Sequence, residues 1–376
     1  MPKVLLKDVV ARIKDKVDKD STNLEYYIGG EHFDYAEVCI TKRGVIQGST
    51  IGPAFHMHFM PGDVLLMSRN PHLRKAGVAD FEGICSDVSY VCRTKDENVL
   101  MQRYLPFVFQ TDHFWEFAER NKKGSTNFFL NWSDFEKYEF DLPGIEEQRK
   151  LTELLWAAQE TKMAYQELLR QSDELVKSQF IDMFGDPVLN SKELPVSPLS
   201  DYILFLTSGS RGWAKYHSDS GEWFVTIKNV KDCKISTDDI QCITPPQNAE
   251  ADRTRLQEGD LLISITADLG RTGVVTQEIA DHGAYINQHL TCIRLNRNIL
   301  NPLYVAYFME SDAGKKQFFA KNLSSVKAGL NFESIRSLQI MVPPLDVQNE
   351  FISFVQQIDK SKYLIPAHHV YGRKRR

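Results

Sequence analysis

Two stretches of the chain repeat their apolar residues every three or four positions, and each predicts a helix. Across residues 145–183 there is no Gly or Pro, and apolar side chains recur at Leu151, Leu154, Leu155, Ala158, Tyr165, Leu168, Leu169, Leu175, Val176, Phe180 and Met183. That spacing lays one stripe along a helix. Roughly 39 residues at about 1.5 Å each make a rod of about 58 Å. So long a helix with so narrow a stripe predicts a coiled-coil strut rather than one member of a globular bundle. Pro143 and Gly144 open it, and Gly185-Asp186-Pro187 closes it. After Pro343-Pro344 a second stripe carries Leu345, Phe351, Phe354, Val355 and Ile358, fades near Lys362 and is closed by Pro366. At about 20 residues it is half as long. The two stripes can pair antiparallel, but the second cannot cover the whole of the first.

The segments leading into the helices are written twice. Residues 130–148 read LNWSDFEKYEFDLPGIEEQ and residues 330–348 read LNFESIRSLQIMVPPLDVQ. Leu130, Asn131, Pro143 and Gln148 recur as Leu330, Asn331, Pro343 and Gln348. Trp132, Phe135, Phe140, Leu142, Ile145 and Glu146 meet the similar Phe332, Ile335, Ile340, Val342, Leu345 and Asp346. A repeat this long is a duplicated domain, since solenoid periods run to about 20–50 residues. Upstream, the turn-and-strand run 61–67 is answered by 258–264, and 87–91 by 288–292, with Arg93 and Arg294 following. Tyr104 and Asp112 are answered by Tyr304 and Asp312, and Leu6-Lys7-Asp8 by Leu199-Ser200-Asp201. The expected plan is an α+β block at 1–143, a long helix at 144–184, a second α+β block at 185–343, and a shorter helix with a basic tail at 344–376. The helices form an antiparallel coiled-coil spacer between two blocks of mixed strand and helix.

Composition narrows the class. The chain has 376 residues, 42% hydrophobic and 25% charged, as in ordinary globular proteins. No apolar run approaches the roughly 18 residues of a membrane span, and the N-terminus has no signal-like apolar core, so a cytoplasmic protein is expected. Cys39, Cys85, Cys92, Cys233, Cys242 and Cys292 form no C-x-x-C pair, which predicts buried free thiols. Net charge is -5, and neither block has a cationic excess. Any nucleic-acid surface must therefore be a local patch or be completed by partners.

Candidate chemistry is sparse. Asn301-Pro302-Leu303-Tyr304 is one residue from an N-P-P-Y motif that holds a flipped adenine, but Asn before Pro is also a helix start. The first block has no Asn-Pro at this point and no glycine-rich cofactor loop is present, so the helix start is preferred. Neither a P-loop nor G-x-S-x-G occurs. His56 and His58 would share one strand face without a third ligand. In 207–216, small residues would bring backbone amides close to a polyanion. Arg211 and Lys215 would neutralise phosphate or read guanine, Trp213 and Tyr216 would pack on sugar or base, and Ser208 and Ser210 are DNA-binding candidates beside them. The most basic loop of the first block offers Arg69, Asn70, His72, Arg74 and Lys75. Lys228, Asn229, Arg271 and Gln288 beside His289 are further candidates. The terminal 373–376 is a basic tail.

The ordered set of duplicated clause, long helix, Phe184-Gly185-Asp186-Pro187 and Ser208-Gly209-Ser210-Arg211-Gly212 resembles the specificity subunits of Type I restriction-modification systems, over the whole chain. The resemblance implies two target-recognition domains that each read half of a split DNA sequence, with paired helices fixing the gap. It implies two methyltransferase subunits that use S-adenosylmethionine, and two translocase/nuclease subunits that use ATP and Mg2+. It implies no cofactor or metal on this chain and no catalysis by it. Gln148, Leu151, Leu155, Ala158, Leu169, Val176, Gln348, Phe351, Val355 and Ile358 are then expected in the spacer and at subunit docking. The family's second helix is comparable to its first, whereas here it fades near Lys362. The competing readings are a stand-alone DNA adenine methyltransferase and a coiled-coil scaffold that binds protein alone.

Overall fold

The computed structural model describes residues 2–323 and 329–363. Pro366, His368, His369 and the basic tail lie outside the described residues. The chain forms two compact units, Met1–Tyr165 and Gln166–Arg376, so the boundary falls within the long helix.

Three sheets correspond between the units, and the second unit adds a two-stranded one, Val230–Lys231 with Lys234–Ile235. In the first, a four-stranded antiparallel sheet has the order Val10–Ile13, Ser89–Thr94, Val64–Met67, Ala76–Val78. In the second the order is Ile203–Ser208, Leu290–Leu295, Leu261–Ser264, Thr272–Val274. The second sheet of each unit is built around a parallel pair, Tyr26–Ile28 with Gly83–Ser86 and Glu222–Val225 with Ala284–Ile286. Here the copies diverge. Phe55–Phe59 covers the outer edge of Gly83–Ser86, whereas Gln241–Ile243 pairs with the opposite partner, Glu222–Val225. The third is a two-stranded ribbon joining the start of each block to its end. Lys3–Leu5 pairs with Glu139–Asp141, and Val196–Pro198 with Gln339–Met341.

The central strands explain why their sequences are unbroken apolar runs. Successive side chains of a strand point to opposite faces. Val64 and Leu66 join a core with Phe109, Phe114 and Trp115, while Leu65 and Met67 join another with Ile28, Phe59 and Val91. In the second unit Leu261 and Ile263 face one core and Leu262 another. With both faces covered, no position along these strands is polar by default. Beside each strand a buried carboxylate holds the turn. Asp63 accepts a forked pair of hydrogen bonds from Arg93 and another from the Met60 N–H at 2.7 Å. Asp260 accepts from Arg294 at 2.8 and 3.2 Å and from the Gln257 N–H at 2.8 Å.

The predicted long helix is Ile145–Phe184, 40 residues. Gly185 stops it with φ +78 and donates its N–H to Ile181 O at 2.7 Å. A left-handed residue there favours glycine. The second helix is described over Leu345–Tyr363. Within the second unit the two run antiparallel. Asp173 meets Lys362 at 2.6 Å, while Phe180 and Phe184 lie 5.4 and 5.5 Å from the Phe351 ring. Val176, Phe351 and Val355 are buried in that unit's core, with Ile358 packed against it. These side chains pack the two helices against each other and against the second block. Gln148 and Gln348 are fully buried as well. Leu151, Leu155 and Leu169 are half-buried and Ala158 is exposed. The apolar side chains most open on the long helix are Leu154, Ile181, Leu175 and Leu168.

All six cysteines are free, four of them buried. Among the described residues, no helix is long and apolar enough to cross a membrane, and no cluster of three or more metal-ligating side chains occurs.

Candidate nucleic-acid interface

Equivalent strands end in equivalent loops, and this places the candidates. Val64–Met67 and Ala76–Val78 form a hairpin whose loop is 68–75; the matching strands Leu261–Ser264 and Thr272–Val274 carry the loop 265–271. Beside each loop lies the turn between the next two strands, 87–88 and 287–289. The Ser68 N–H donates to Val88 O at 2.8 Å and the Ile265 N–H to His289 O at 3.0 Å. Each loop is also sewn to the duplicated clause: the Leu130 N–H donates to Ser68 O at 2.8 Å and the Leu330 N–H to Ile265 O at 2.9 Å. Three segments thus converge at one end of each block, loop tips held by a rigid sheet.

In the first block Arg69 is exposed and lines a cleft of about 200 Å³ with Ser68, Asp87, Tyr90, Phe129 and Asn131. Asn70 has φ 53 and donates its N–H to Phe128 O at 2.8 Å. His72 is exposed. Arg74 and Lys75 are engaged internally, Arg74 with Asp112 and Lys75 with Gly30 O at 2.6 Å. In the second block Arg271, on the loop equivalent to 68–75, is paired with Asp268. Gln288 and Thr266 flank His289, with Nε2 to Nε2 at 3.3 Å and Oγ1 to Nδ1 at 2.7 Å.

The segment 207–216 is built differently from expectation. Two of its amides are already used: Gly209 N–H donates to Leu290 O and Ser210 N–H to Ile286 O, both at 3.1 Å. Gly209 is there because a Cβ would stand 2.1 Å from Asn287 O. Trp213 is 3% exposed, packs with Phe224 and Tyr285, and donates Nε1–H to Glu250 at 3.3 Å. Its ring belongs to a core and is unavailable for sugar or base. Ser210 is buried too, and Ser208 is half-buried, its carbonyl accepting from Arg253 at 3.1 Å. Arg211 and Lys215 are exposed, with the Lys215 ammonium 4.9 Å from the Tyr216 ring centre. Lys228 is exposed. Asn229 is 6% exposed, and its Oδ1 accepts from the Thr226 N–H at 3.0 Å, which makes it a turn residue.

Asn301 caps the helix Pro302–Glu310. Its Oδ1 accepts from the Leu303 N–H at 3.0 Å and its Nδ2 donates to Asn349 at 2.9 Å. Both ends of the amide are committed to structure, as the helix-start reading requires. His56 and His58 do not act together. His56 contacts Pro53 O at 3.1 Å, while His58 bridges Asp15 at 2.8 Å and Glu82 at 2.7 Å. Desolvation pulls the His58 pKa down, but hydrogen bonds and charge from Asp15 and Glu82 outweigh it and raise it above the ordinary value.

Asp87 and Thr266 are not singled out by the sequence and join the candidates through their place on these segments. Extending the match of 61–67 with 258–264 by two residues pairs Arg69 with Thr266 and would have found the true counterpart loop.

Comparison with known proteins bears on the same segments. Residues 226–366 match the family described as Type I restriction modification DNA specificity domain. The chain is 17% identical over 134 residues to the Type I restriction enzyme EcoBI specificity subunit of Escherichia coli. That match takes in 36% of this chain and only 28% of that protein's length. Among solved structures, the Type I restriction-modification S subunit from M. genitalium superposes with a TM-score of 0.60 at 12% identity, covering 96% of this chain and 90% of that one. The HsdS subunit from Thermoanaerobacter tengcongensis has a TM-score of 0.38 at 18% identity, covering 96% and 90%. The family match falls on the second block and the start of the helix after it, and the first block repeats that block's four-stranded antiparallel sheet, closing ribbon and buried hydrogen bonds. Residues 226–366 thus carry the signature of a Type I restriction modification DNA specificity domain, and the fold of the chain is similar to that of a Type I S subunit.

Proposed function

We propose that this chain is the non-catalytic DNA-recognition subunit of a Type I restriction-modification complex, each block reading one half of an asymmetric bipartite duplex target. Duplication with divergence carries this reading. One scaffold occurs twice, with the same backbone bonds beneath loops 68–75 and 265–271 and different side chains upon them. Two identical readers would select a repeated half-site, whereas two different ones select unlike halves. Backbone contacts position a protein on DNA and base edges specify sequence, so exposed Arg211, Lys215 and Lys228 are assigned to phosphate. The 40-residue helix is of the right scale to space half-sites about one turn of duplex apart.

The chemistry then belongs to partners: two methyltransferase subunits modifying adenine with S-adenosylmethionine, and two translocase/nuclease subunits using ATP and Mg2+. This chain binds none of those cofactors and works in the cytoplasm. Mapping methylated adenines in DNA treated with the assembled complex tests the reading. Modified adenines should fall in two short half-sites at a fixed separation. Methylation without a fixed two-part context, or binding to duplex DNA without sequence preference, would overturn it.

A further inference from the structure

The two blocks differ in chemistry where their backbones agree. The paired bonds from Ser68 and Ile265 to the neighbouring turn and to the clause set a residue-by-residue equivalence. Arg69 corresponds to Thr266, Asp87 to Gln288, and Asn131 to Asn331. The two asparagines stand at the start of the short helix that follows each and are identical, so they do not distinguish the blocks. At the other two positions a cation and an anion are replaced by two neutral hydrogen-bonding side chains.

In the first block Arg69 and Asp87 are both exposed and line one cleft, yet their side chains form no ion pair with each other or with any described residue. Opposite charges held apart on one surface match a ligand that presents acceptors beside a donor. A G·C pair does so in the major groove: guanine O6 and N7 accept, and the cytosine N4 amino group donates. In the second block His289 orders the neutral pair. The Gln288 Nε2–H donates to His289 Nε2 at 3.3 Å, which places the proton of a neutral ring on Nδ1, 2.7 Å from Thr266 Oγ1. That leaves the Gln288 carbonyl oxygen and its second N–H for adenine N6 and N7, with the Thr266 methyl suited to the thymine methyl.

We propose that Arg69 with Asp87, and Thr266 with Gln288, are the specificity-determining pairs of the two blocks, the first selecting a G·C pair and the second an A·T pair. The proposal rests on the DNA-recognition reading above. To test it, the full chain assembled with its methyltransferase subunits is used to select from a randomised duplex library, and the enriched motif is sequenced. The natural chain should enrich a two-part motif with a fixed G·C pair in one half and a fixed A·T pair in the other. The double variant Arg69→Thr, Asp87→Gln should lower the G·C preference by roughly 10- to 100-fold and leave the other half unchanged. Arg69→Lys keeps charge and exposure but loses the forked donor, so about a 10-fold loss at the same base pair is expected. If the natural chain enriches no motif, the DNA-recognition reading itself fails. A two-part motif that both variants leave intact, or that loses both halves equally, overturns only the assignment of these pairs.

Discussion

Gln148 and Gln348 make the same three hydrogen bonds, one set in each unit. Gln148 Oε1 accepts from the Met101 N–H at 3.0 Å, and its Nε2 donates to Val99 O and Pro143 O, both at 2.8 Å. Gln348 accepts from the Asn301 N–H at 2.8 Å and donates to Ile299 O at 2.9 Å and Pro343 O at 2.8 Å. Each glutamine thus locks a helix's first turn to the loop entering the helical side of its block. Replacing either with Leu strands one N–H and two carbonyls and should cost roughly 2–4 kcal/mol. Denaturant unfolding of Gln148→Leu and Gln348→Leu checks this, and a loss below about 0.5 kcal/mol in either would sink the clamp.

The Asp260 carboxylate is 1% exposed and depends on Arg294 for its charge balance. Arg294→Ala leaves it buried and unpaired. Loss of about 3 kcal/mol is expected, at the low end for such pairs because the Arg294 side chain is a quarter exposed. Arg294→Ala with Asp260→Asn should recover part of that loss in thermal unfolding; no recovery would mean that the pair's charge is not what holds the turn.

His58 makes the first unit sensitive to alkaline pH. Its folded pKa is raised, so its stabilising contribution is full below the ordinary histidine value of 6.5 and is lost as pH rises through the folded value. The natural protein should therefore lose first-unit stability on going from mildly acidic to mildly alkaline buffer, and His58→Gln should flatten that slope. Parallel slopes for the two proteins would exclude this role.

Asn301→Ala removes a helix cap. About 1 kcal/mol of stability should go, and on the proposed function the chain assembled with methyltransferase subunits should support DNA methylation at an unchanged rate. A loss of 100-fold or more in methylation by a folded complex would restore the flipped-base reading of this motif.

The buried thiols should be inert. Burial pushes Cys85, Cys92, Cys233 and Cys292 well above the usual thiol range. Alkylation of the native protein followed by mass mapping should modify Cys242 and Cys39 first; early labelling of Cys92 would show that its core opens more readily than its packing implies.

Much of the architecture is legible in the sequence because the helices follow a strict period and four identical residues recur at one offset. The role of Gln148 and Gln348 is not, since their loop partners lie 47 and 49 residues upstream and come together only in the fold. The interface is legible less evenly. Loop 68–75 stands out by its charge, but its counterpart 265–271 is nearly neutral, and 207–216 draws attention by carrying Arg, Lys and Trp together. What separates them is burial: Gly209 and Trp213 serve close packing, a use that composition cannot distinguish from recognition.

The ribbons that close each block have a mechanical consequence. Lys3 lies opposite Asp141, and Val196 opposite Met341, so the chain enters and leaves each block side by side. Tension between entry and exit would load those few rungs one at a time, as in opening a zipper, rather than shearing them together. The ribbon would therefore yield at low force and act as a fuse, relaxing the load before it reached the sheet that carries the loop tips.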